Sequence, residues 1–206
     1  MGVAYNPSIV TSGLVSASDS RNTKSYSGET FYNLLTTSTI GNPSWSNSAT
    51  KLTCISVIKI LGVDTGYAYH PINKWNSGTS NASFVLYHFQ NYQGTNPGSA
   101  NVLTWYANAG GTWTAITQGY QCTIGNTYFV ALQYNSSSGG QMWINGSKSG
   151  SRGSAGTLGS GSANILIDGD VSGRAGIHKV ESVYFYNKEL SDSEITQMYN
   201  VLRNRL

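Results

Sequence analysis

Charge is scarce in this sequence. Charged residues make up 10% of the 206 residues, whereas a typical soluble domain carries about a quarter. Twelve Lys and Arg against nine Asp and Glu leave a net charge of +3, and the basic residues form no run. Because a nucleic-acid surface needs clustered basic residues, the sequence speaks against nucleic acid as a partner.

Long apolar runs and export signals are also lacking. No stretch approaches the roughly 20 apolar residues of a membrane-spanning helix. The first ten residues, MGVAYNPSIV, have neither the basic region nor the apolar region of a secretory signal peptide. We therefore expect a protein that is made in a cytoplasm, has no export route of its own and does not insert into membranes.

Cysteine occurs twice, as Cys54 and Cys122, and the two do not form a CxxC pair. A zinc site or a redox motif of that kind is therefore not expected. The apolar surroundings of both residues favour buried free thiols, and a disulfide between them is the alternative.

What the chain does contain is typical of an all-β protein. There are 24 Gly and 14 Tyr, with Ser, Thr and Asn throughout, a mixture that suits short strands joined by tight turns. The Gly- and Ser-rich stretch 146–164 is interpreted as a loop inside one domain that covers 1–206, with 1–12 as an N-terminal extension. The ranges predicted to contain strands are 13–26, 51–63, 81–92, 100–116 (a hairpin), 126–150 (a hairpin), 163–170 and 178–187.

The closing segment differs, because its pattern predicts a helix over 191–203. Ser191 and Glu194 have the spacing of a capping box, in which each residue satisfies a backbone N–H of the other. Apolar residues then recur at helical spacing and form one stripe, so the helix is predicted to cap a sheet. The stripe consists of Ile195, Met198, Tyr199 and Leu202.

Four segments, in this order, resemble the concanavalin A-like lectin/glucanase (laminin-G-like) domains. They are GLVSASDSRNTKSYSG (13–28), INKWNSGTSNASFVLY (72–87), NTYFVALQYNSSSGGQMWINGS (126–147) and AGIHKVESVYFYNKELSDSEITQMYN (175–200). The resemblance implies a jelly-roll sandwich of two antiparallel sheets with a short C-terminal α-helix.

Domains of this kind without a signal peptide are similar to those of bacteriophage virion proteins. The resemblance therefore implies a non-enzymatic virion surface protein, in capsid decoration or in a tail, made in the host cytoplasm. Its expected partners are capsid or tail proteins and cell-surface glycans, and a homo-oligomer would multiply weak contacts. A carbohydrate-active enzyme or its accessory module, and a structural cement protein without sugar binding, are the alternatives.

An enzyme is not expected, because the acidic residues do not form a catalytic pattern. A retaining glycosidase needs two carboxylates about 5 Å apart, and the glucanase branch of the resembled family carries an E-x-D-x-x-E pattern that this chain lacks. His70, His88 and His178 lie far apart in the sequence, and no G-x-S-x-G motif occurs.

The pair Asp168 and Asp170 is interpreted either as turn carboxylates or as calcium ligands. Many members of the resembled family bind Ca²⁺ at the rim of the sandwich, and Asp64 is the further loop acid that could contribute. The prediction is no cofactor, with Ca²⁺ at these three residues as the alternative.

Sugar binding pairs aromatic faces with planar polar side chains. The candidate glycan contacts are Trp75 with its neighbours Asn73 and Asn76, and Tyr92 with Asn91. Tyr67, Tyr69 and Trp113 are further loop aromatics, whereas Trp105 and Trp143 lie within strands and are predicted to be core residues.

Overall fold

The computed structural model describes residues 9–19, 38–62, 68–75, 83–89, 101–117, 119–169 and 177–206. These residues form thirteen strands and one α-helix, with short 3₁₀ turns at Ser44–Ser46 and Arg203–Arg205. In chain order the strands are β1 (Leu14–Asp19), β2 (Ser38–Gly41), β3 (Lys51–Ile60), β4 (Ala68–Lys74), β5 (Phe84–Phe89), β6 (Val102–Ala109), β7 (Thr112–Ala115), β8 (Tyr120–Gln121), β9 (Thr127–Asn135), β10 (Gly139–Ile144), β11 (Ser147–Ser149), β12 (Ile165–Ile167) and β13 (His178–Tyr186).

The strands make two antiparallel sheets. Sheet A has the order β1-β13-β3-β9-β10-β11, and sheet B has the order β2-β12-β4-β5-β6-β7 with β8 paired to β6. The predicted sandwich is therefore present. Between the sheets lies one core, to which sheet A contributes residues such as Cys54 and Ile58 and sheet B contributes Phe84, Leu86 and Trp105. Both cysteines are buried and free, as predicted.

Strand β3 lies in the middle of sheet A and is covered on both faces. Cys54 and Ile58 belong to the core between the sheets, whereas Ile55 and Val57 face the other side. Successive residues of a strand point to opposite faces, so a strand with apolar residues on both faces must be covered on both faces. The apolar run at 51–63 predicted this, and the structure confirms it.

The second cover is the helix α1 (Asp192–Leu202), which packs on the outer face of sheet A. The predicted capping box is present: the Glu194 N–H donates to Ser191 Oγ at 3.3 Å, and the Ser191 N–H donates to Glu194 Oε2 at 2.8 Å. Ile195, Met198 and Leu202 are fully buried against the sheet. In the described part of the chain, no helix has the length and apolarity that crossing a bilayer requires.

The two predicted hairpins form, as β6–β7 and β9–β10. Gly110 and Gly111 have φ of +60° and +86° between β6 and β7, and Gly139, where β10 begins after the β9–β10 turn, has φ of +79°. A third hairpin, β10–β11, was not predicted, and Asn145 and Gly146 at its turn have φ of +49° and +80°. Positive φ at both central residues is the requirement of the tight hairpin turn that matches strand twist. The first turn is shorter than predicted, because Asn108 and Ala109 belong to β6.

Strands β2, β4, β8 and β11 were not predicted. The sequence of β4, AYHPINK, contains a proline and lacks a regular alternation of apolar and polar residues. A bulge interrupts the alternation: Tyr69 pairs with His88 and Ile72 pairs with Leu86, so two residues of β4, His70 and Pro71, lie opposite one residue of β5. A bulge also tolerates the missing N–H of proline.

Candidate ligand-binding face

The two outer faces of the sandwich differ. Helix α1 covers that of sheet A. On sheet B, the residues that alternate with the core residues point away from the core. They include Tyr87 between Leu86 and His88, and Tyr106 between Trp105 and Ala107, and both tyrosine side chains are partly exposed. A ligand face must therefore be sought on sheet B.

Five rings on this outer face are connected by ring contacts, and we call them the aromatic row. Going from β4 to β7, the ring centroids are separated by 5.3 Å (Trp75 and His70), 4.8 Å (His70 and Tyr87), 5.2 Å (Tyr87 and Tyr106) and 6.1 Å (Tyr106 and Trp113). Most of the contacts are edge-to-face, the arrangement that aromatic pairs prefer. His70 is 2% exposed, and the other four rings are partly exposed.

The pairing of four strands brings the rings together. Tyr87 lies opposite Thr104, and Tyr106 lies two residues further along β6, opposite Val85, so the two tyrosines are diagonal neighbours. Trp113, on the short strand β7, lies opposite Asn108. Tyr69 points into the sandwich, so the next residue, His70, lies on the outer face, where its ring contacts Tyr87, and the bulge returns Ile72 to the core.

Polar groups accompany the rings. The Tyr106 hydroxyl stays protonated in neutral solution, because burial raises its pKa. Thr104 shares the outer face with Tyr87, and its Oγ1 donates to the Thr117 carbonyl at 3.1 Å. Asn73 is fully buried, and its Nδ2 donates to the Gly169 carbonyl. This amide therefore anchors the end of β12.

Some of the predicted glycan contacts lie on the outer face of sheet B, and others do not. Trp75 and Trp113 both lie in the aromatic row, whereas Asn73 is buried and cannot face a ligand. Tyr69 was interpreted as a loop residue, but it points into the sandwich and packs against His178. His70, Tyr87 and Tyr106 were not predicted as glycan contacts from the sequence. The remaining candidates, Asn76, Asn91, Tyr92 and Tyr67, lie outside the described residues.

The predicted core role of two tryptophans is confirmed. Trp105 is fully buried between the sheets. Trp143 is 5% exposed and lies in the core under helix α1, where its Nε1 donates to Gln133 Oε1 at 3.2 Å. Neither indole reaches the aromatic row, because both lie on other faces of the strands.

Of the predicted calcium ligands, only Asp168 lies among the described residues. It is 5% exposed, follows β12 directly and has φ of +51°. Asp64 and Asp170 lie outside the described residues. Within the described ranges, no group of three or more His, Cys, Asp or Glu is placed to hold a metal ion. Calcium binding stays a prediction.

Three carboxylates near helix α1 are engaged in ion pairs. Arg152 Nη2 lies 2.6 Å from Glu189, Lys148 Nζ lies 2.6 Å from Asp192, and Lys188 Nζ lies 2.7 Å from Glu194. The hydrogen bonds from the two lysines lower the pKa of Asp192 and of Glu194. A catalytic general acid needs a raised pKa, so these groups have the properties of structural carboxylates.

Two histidines that are far apart in the sequence meet between the sheets. His88 Nδ1, on β5, lies 2.9 Å from His178 Nε2, on β13, and Asp168 Oδ1 lies 3.6 Å from His178 Nδ1. The Tyr69 ring packs edge-on against His178. The sequence spacing gave no sign of this polar contact, which joins sheet B to sheet A. We call the two histidines the His pair.

The His pair is held in its neutral form. Burial and the neighbouring His178 lower the pKa of His88 to about 3. Burial also lowers the pKa of His178, although Asp168 opposes the shift. Below the unfolded-state pKa of about 6.5, the unfolded chain therefore binds protons that the folded chain does not. The stabilising contribution is fully present above that pH and is lost as the pH falls towards the folded-state value.

Stability should therefore decrease measurably as the pH falls. On account of His88, the free energy of unfolding should fall by about 1–2 kcal/mol between about pH 7 and pH 5, and His178 should shift it in the same direction. Urea titrations at both pH values measure it. A His88→Asn variant, which cannot take up that proton, should show a smaller fall. An equal fall in both proteins would contradict the assignment.

Comparisons with known proteins address the fold. No protein-family model matches the sequence, and no curated protein sequence matches it significantly. Solved structures do match. One is the binding domain of Paraclostridial Mosquitocidal Protein 1, with a TM-score of 0.60 and 14% identity over 82% of this chain and 41% of that chain.

Two further matches have similar scores. Domain 4 of AbnA, a GH43 extracellular arabinanase from Geobacillus stearothermophilus in complex with arabinotriose, has a TM-score of 0.53 and 12% identity over 76% of this chain and 70% of that domain. The binding domain of Botulinum Neurotoxin DC in complex with SialylT has a TM-score of 0.54 and 15% identity over 75% of this chain and 36% of that chain.

At these identities the similarity establishes the fold. The chain spans less than half of either toxin binding domain. Together with the two antiparallel sheets and the single described helix, the matches confirm the predicted fold class. The described part of this chain is a β-sandwich of two antiparallel sheets with a short C-terminal helix.

Proposed function

We propose that this chain is a non-enzymatic glycan-binding module whose ligand lies on the aromatic row of sheet B. The observation that carries the proposal is the continuity of the row. Five rings cross four neighbouring strands, and the centroids of consecutive rings are 4.8 to 6.1 Å apart. Four of the five rings are partly exposed.

The chemistry of the row suits a sugar. Ring faces accept the C–H surface of a saccharide, and the phenol hydroxyls of Tyr87 and Tyr106 can donate to and accept from sugar hydroxyls. The rings pack against one another, so little side-chain freedom is lost when a ligand binds. Such preorganisation lowers the entropic cost of association.

The absence of acid pairs from the described face supports binding without catalysis. The described residues of sheet B that share the outer face with the row include Asn73, Val85, Thr104, Asn108 and Ala115. None of them carries a carboxylate. The described carboxylates near the helix are instead paired with Arg152, Lys148 and Lys188.

A carbohydrate-binding accessory module of a carbohydrate-active enzyme is the second candidate. It is favoured by the match to a domain of an arabinanase that was solved with arabinotriose and of which 70% is covered. In that case the same row would bind the polysaccharide that a partner domain degrades. The two candidates share the binding face and differ in the protein around it.

The virion role is a further part of the proposal and rests on the resemblance of the sequence. The module would sit on a capsid or a tail, bind capsid or tail proteins and present the row to cell-surface glycans. Capsid and tail genes beside its own gene, and stoichiometric co-purification with particles, are the expected observations. Neighbouring genes for polysaccharide degradation would favour the accessory module instead.

Binding and turnover can be tested together. The purified chain should bind at least one class of oligosaccharide on a glycan array and should be retained by the corresponding polysaccharide in affinity electrophoresis. Reducing-end assays on the same polysaccharide should detect no products. Absence of binding to every glycan would overturn the proposal, and turnover that is lost in Asp168→Asn would show that the chain is an enzyme.

A further inference from the structure

The charges of this chain are distributed unevenly between its two sheets. In the described strands of sheet B, the only Asp, Glu, Lys or Arg is Lys74. Its side chain points inward and is fully buried, with Nζ donating to the Asn47 side chain and, at 3.3 Å, to the Ser46 carbonyl. Burial lowers its pKa to about 8. The outer face of these strands therefore carries no charged side chain.

Two segments of the sequence that adjoin these strands follow the same pattern. Residues 76–82 join β4 to β5, and residues 90–100 join β5 to β6. Neither segment contains Asp, Glu, Lys or Arg, whereas 63–67 before β4 contains Asp64 and 170–176 after β12 contains Asp170 and Arg174. Lys51, Lys59 and Lys179, for example, lie on strands of sheet A. The net charge of +3 is therefore not carried by the described outer face of the strands that hold the row.

An acidic sugar would find no cationic partner among the described outer-facing residues of these strands. Carboxylates and sulfates are recognised by Arg or Lys through charge-assisted hydrogen bonds. Placing an anion against neutral rings removes its hydration without replacing it, which is unfavourable. Hydroxyl groups, by contrast, are served by the neutral donors and acceptors of the row.

The length of the row bears on the shape of the ligand. Neighbouring strands are about 4.8 Å apart, so the four strands that carry the row span roughly 14 Å. That is longer than a single sugar ring. Four of the five rings are partly exposed, and consecutive rings from Trp75 to Tyr106 stand nearly perpendicular to one another, so some present a face and others an edge. Trp113 lies 6.4 Å from Tyr87 as well as 6.1 Å from Tyr106. The row therefore offers contacts to more than one sugar of a chain.

We infer that the aromatic row binds an internal stretch of a neutral, linear glycan that lies across strands β4 to β7, and that it discriminates against acidic glycans. The inference rests on the proposed glycan-binding function and specifies its ligand class. Contacts with the exposed rings supply the affinity, and the lack of cationic side chains on the described outer face of these strands supplies the discrimination.

The test uses matched neutral and acidic oligosaccharides from monosaccharide to hexasaccharide. Neutral arabino-, xylo- and galacto-oligosaccharides are compared with oligogalacturonates by isothermal titration calorimetry. We expect at least one neutral series to bind about tenfold or more tightly than the oligogalacturonates, a difference of about 1.4 kcal/mol. Its affinity should rise with chain length up to about the span of the row, and it should change little between about 0.05 and 0.5 M NaCl, because no ion pair is screened.

A charge variant sharpens the test. Ala115 lies opposite Tyr106 on the partly exposed edge strand β7. In Ala115→Lys, a cation beside the row should raise the affinity for oligogalacturonates by about two- to fivefold, the range of an exposed ion pair. The gain should disappear in high salt, and neutral affinity should be retained.

The outcomes are separable. Tighter binding of oligogalacturonates than of every neutral series would overturn the inference and leave the proposed function standing. Equal affinity for a monosaccharide and its hexasaccharide would overturn the internal binding mode. Binding of neither class, here and on the glycan array, would remove the proposed function and the inference with it.

Discussion

Replacing Tyr87 by alanine should reduce glycan affinity more than any other single change in the aromatic row. The Tyr87 ring contacts three others, with centroids 4.8 Å from His70, 5.2 Å from Tyr106 and 6.4 Å from Trp113. Its loss removes the central stacking surface and leaves its neighbours without support. Central aromatic residues of a binding site commonly contribute about 2 kcal/mol or more, which corresponds to a loss of roughly 30-fold.

The measurement is calorimetric titration with the oligosaccharide that binds best to the unmodified chain. Tyr87→Phe keeps the ring and should lose less than about tenfold, the cost of one hydrogen bond. Tyr199→Ala removes a ring of the same size from helix α1, which lies on the other sheet against Phe129, and should leave affinity unchanged. Thermal melts establish that each variant is folded. Equal losses in Tyr87→Ala and Tyr199→Ala would contradict the assignment of the site.

Replacing Ile195 by aspartate should destabilise the whole sandwich. Ile195 is fully buried in the second core, between helix α1 and the outer face of sheet A. The change removes a large apolar side chain and places a carboxylate among Ile55, Phe129 and Met198, which belong to the same cluster. Together these effects should lower the free energy of unfolding by about 4 kcal/mol or more.

Denaturant titration at neutral pH measures this loss. Thr196→Asp introduces the same carboxylate one residue later, at an exposed position near the start of the helix, and should change stability by less than about 0.5 kcal/mol. The Ile195→Asp variant should still bind glycan under conditions in which it is folded. A variant that keeps its stability and loses only binding would show that the helix contributes to recognition.

The sequence predicted those elements whose pattern is set by neighbouring residues. They are strand β3, which is apolar on both faces, the hairpin turn at Gly110 and Gly111, and helix α1 with its capping box and apolar stripe. Each follows a rule that does not depend on residues far away in the sequence. Strand β4 escaped prediction because its bulge and Pro71 remove the alternation that marks a strand. Its neighbours β5 and β12, not its own residues, hold it in sheet B.

The candidate site was predictable only at its ends. Trp75 and Trp113 lie beside turns, where an aromatic residue suggests a contact. Tyr87 and Tyr106 lie inside strands, and either face of a strand can be the core face. His70 lies in β4, where the bulge and Pro71 interrupt the alternation that would have marked its outer face.

The sequence by itself determined the class of the protein. Scarce charge, turn residues between apolar strands and one capped amphipathic helix indicate an all-β sandwich closed by a helix, since propensity and periodicity act over a few residues. The tertiary structure decided which aromatics share a surface and which histidines meet, because those contacts join strands from distant parts of the chain. His88 and His178 are ninety residues apart in the sequence and 2.9 Å apart in the fold. The aromatic row likewise exists only once β4, β5, β6 and β7 pair side by side.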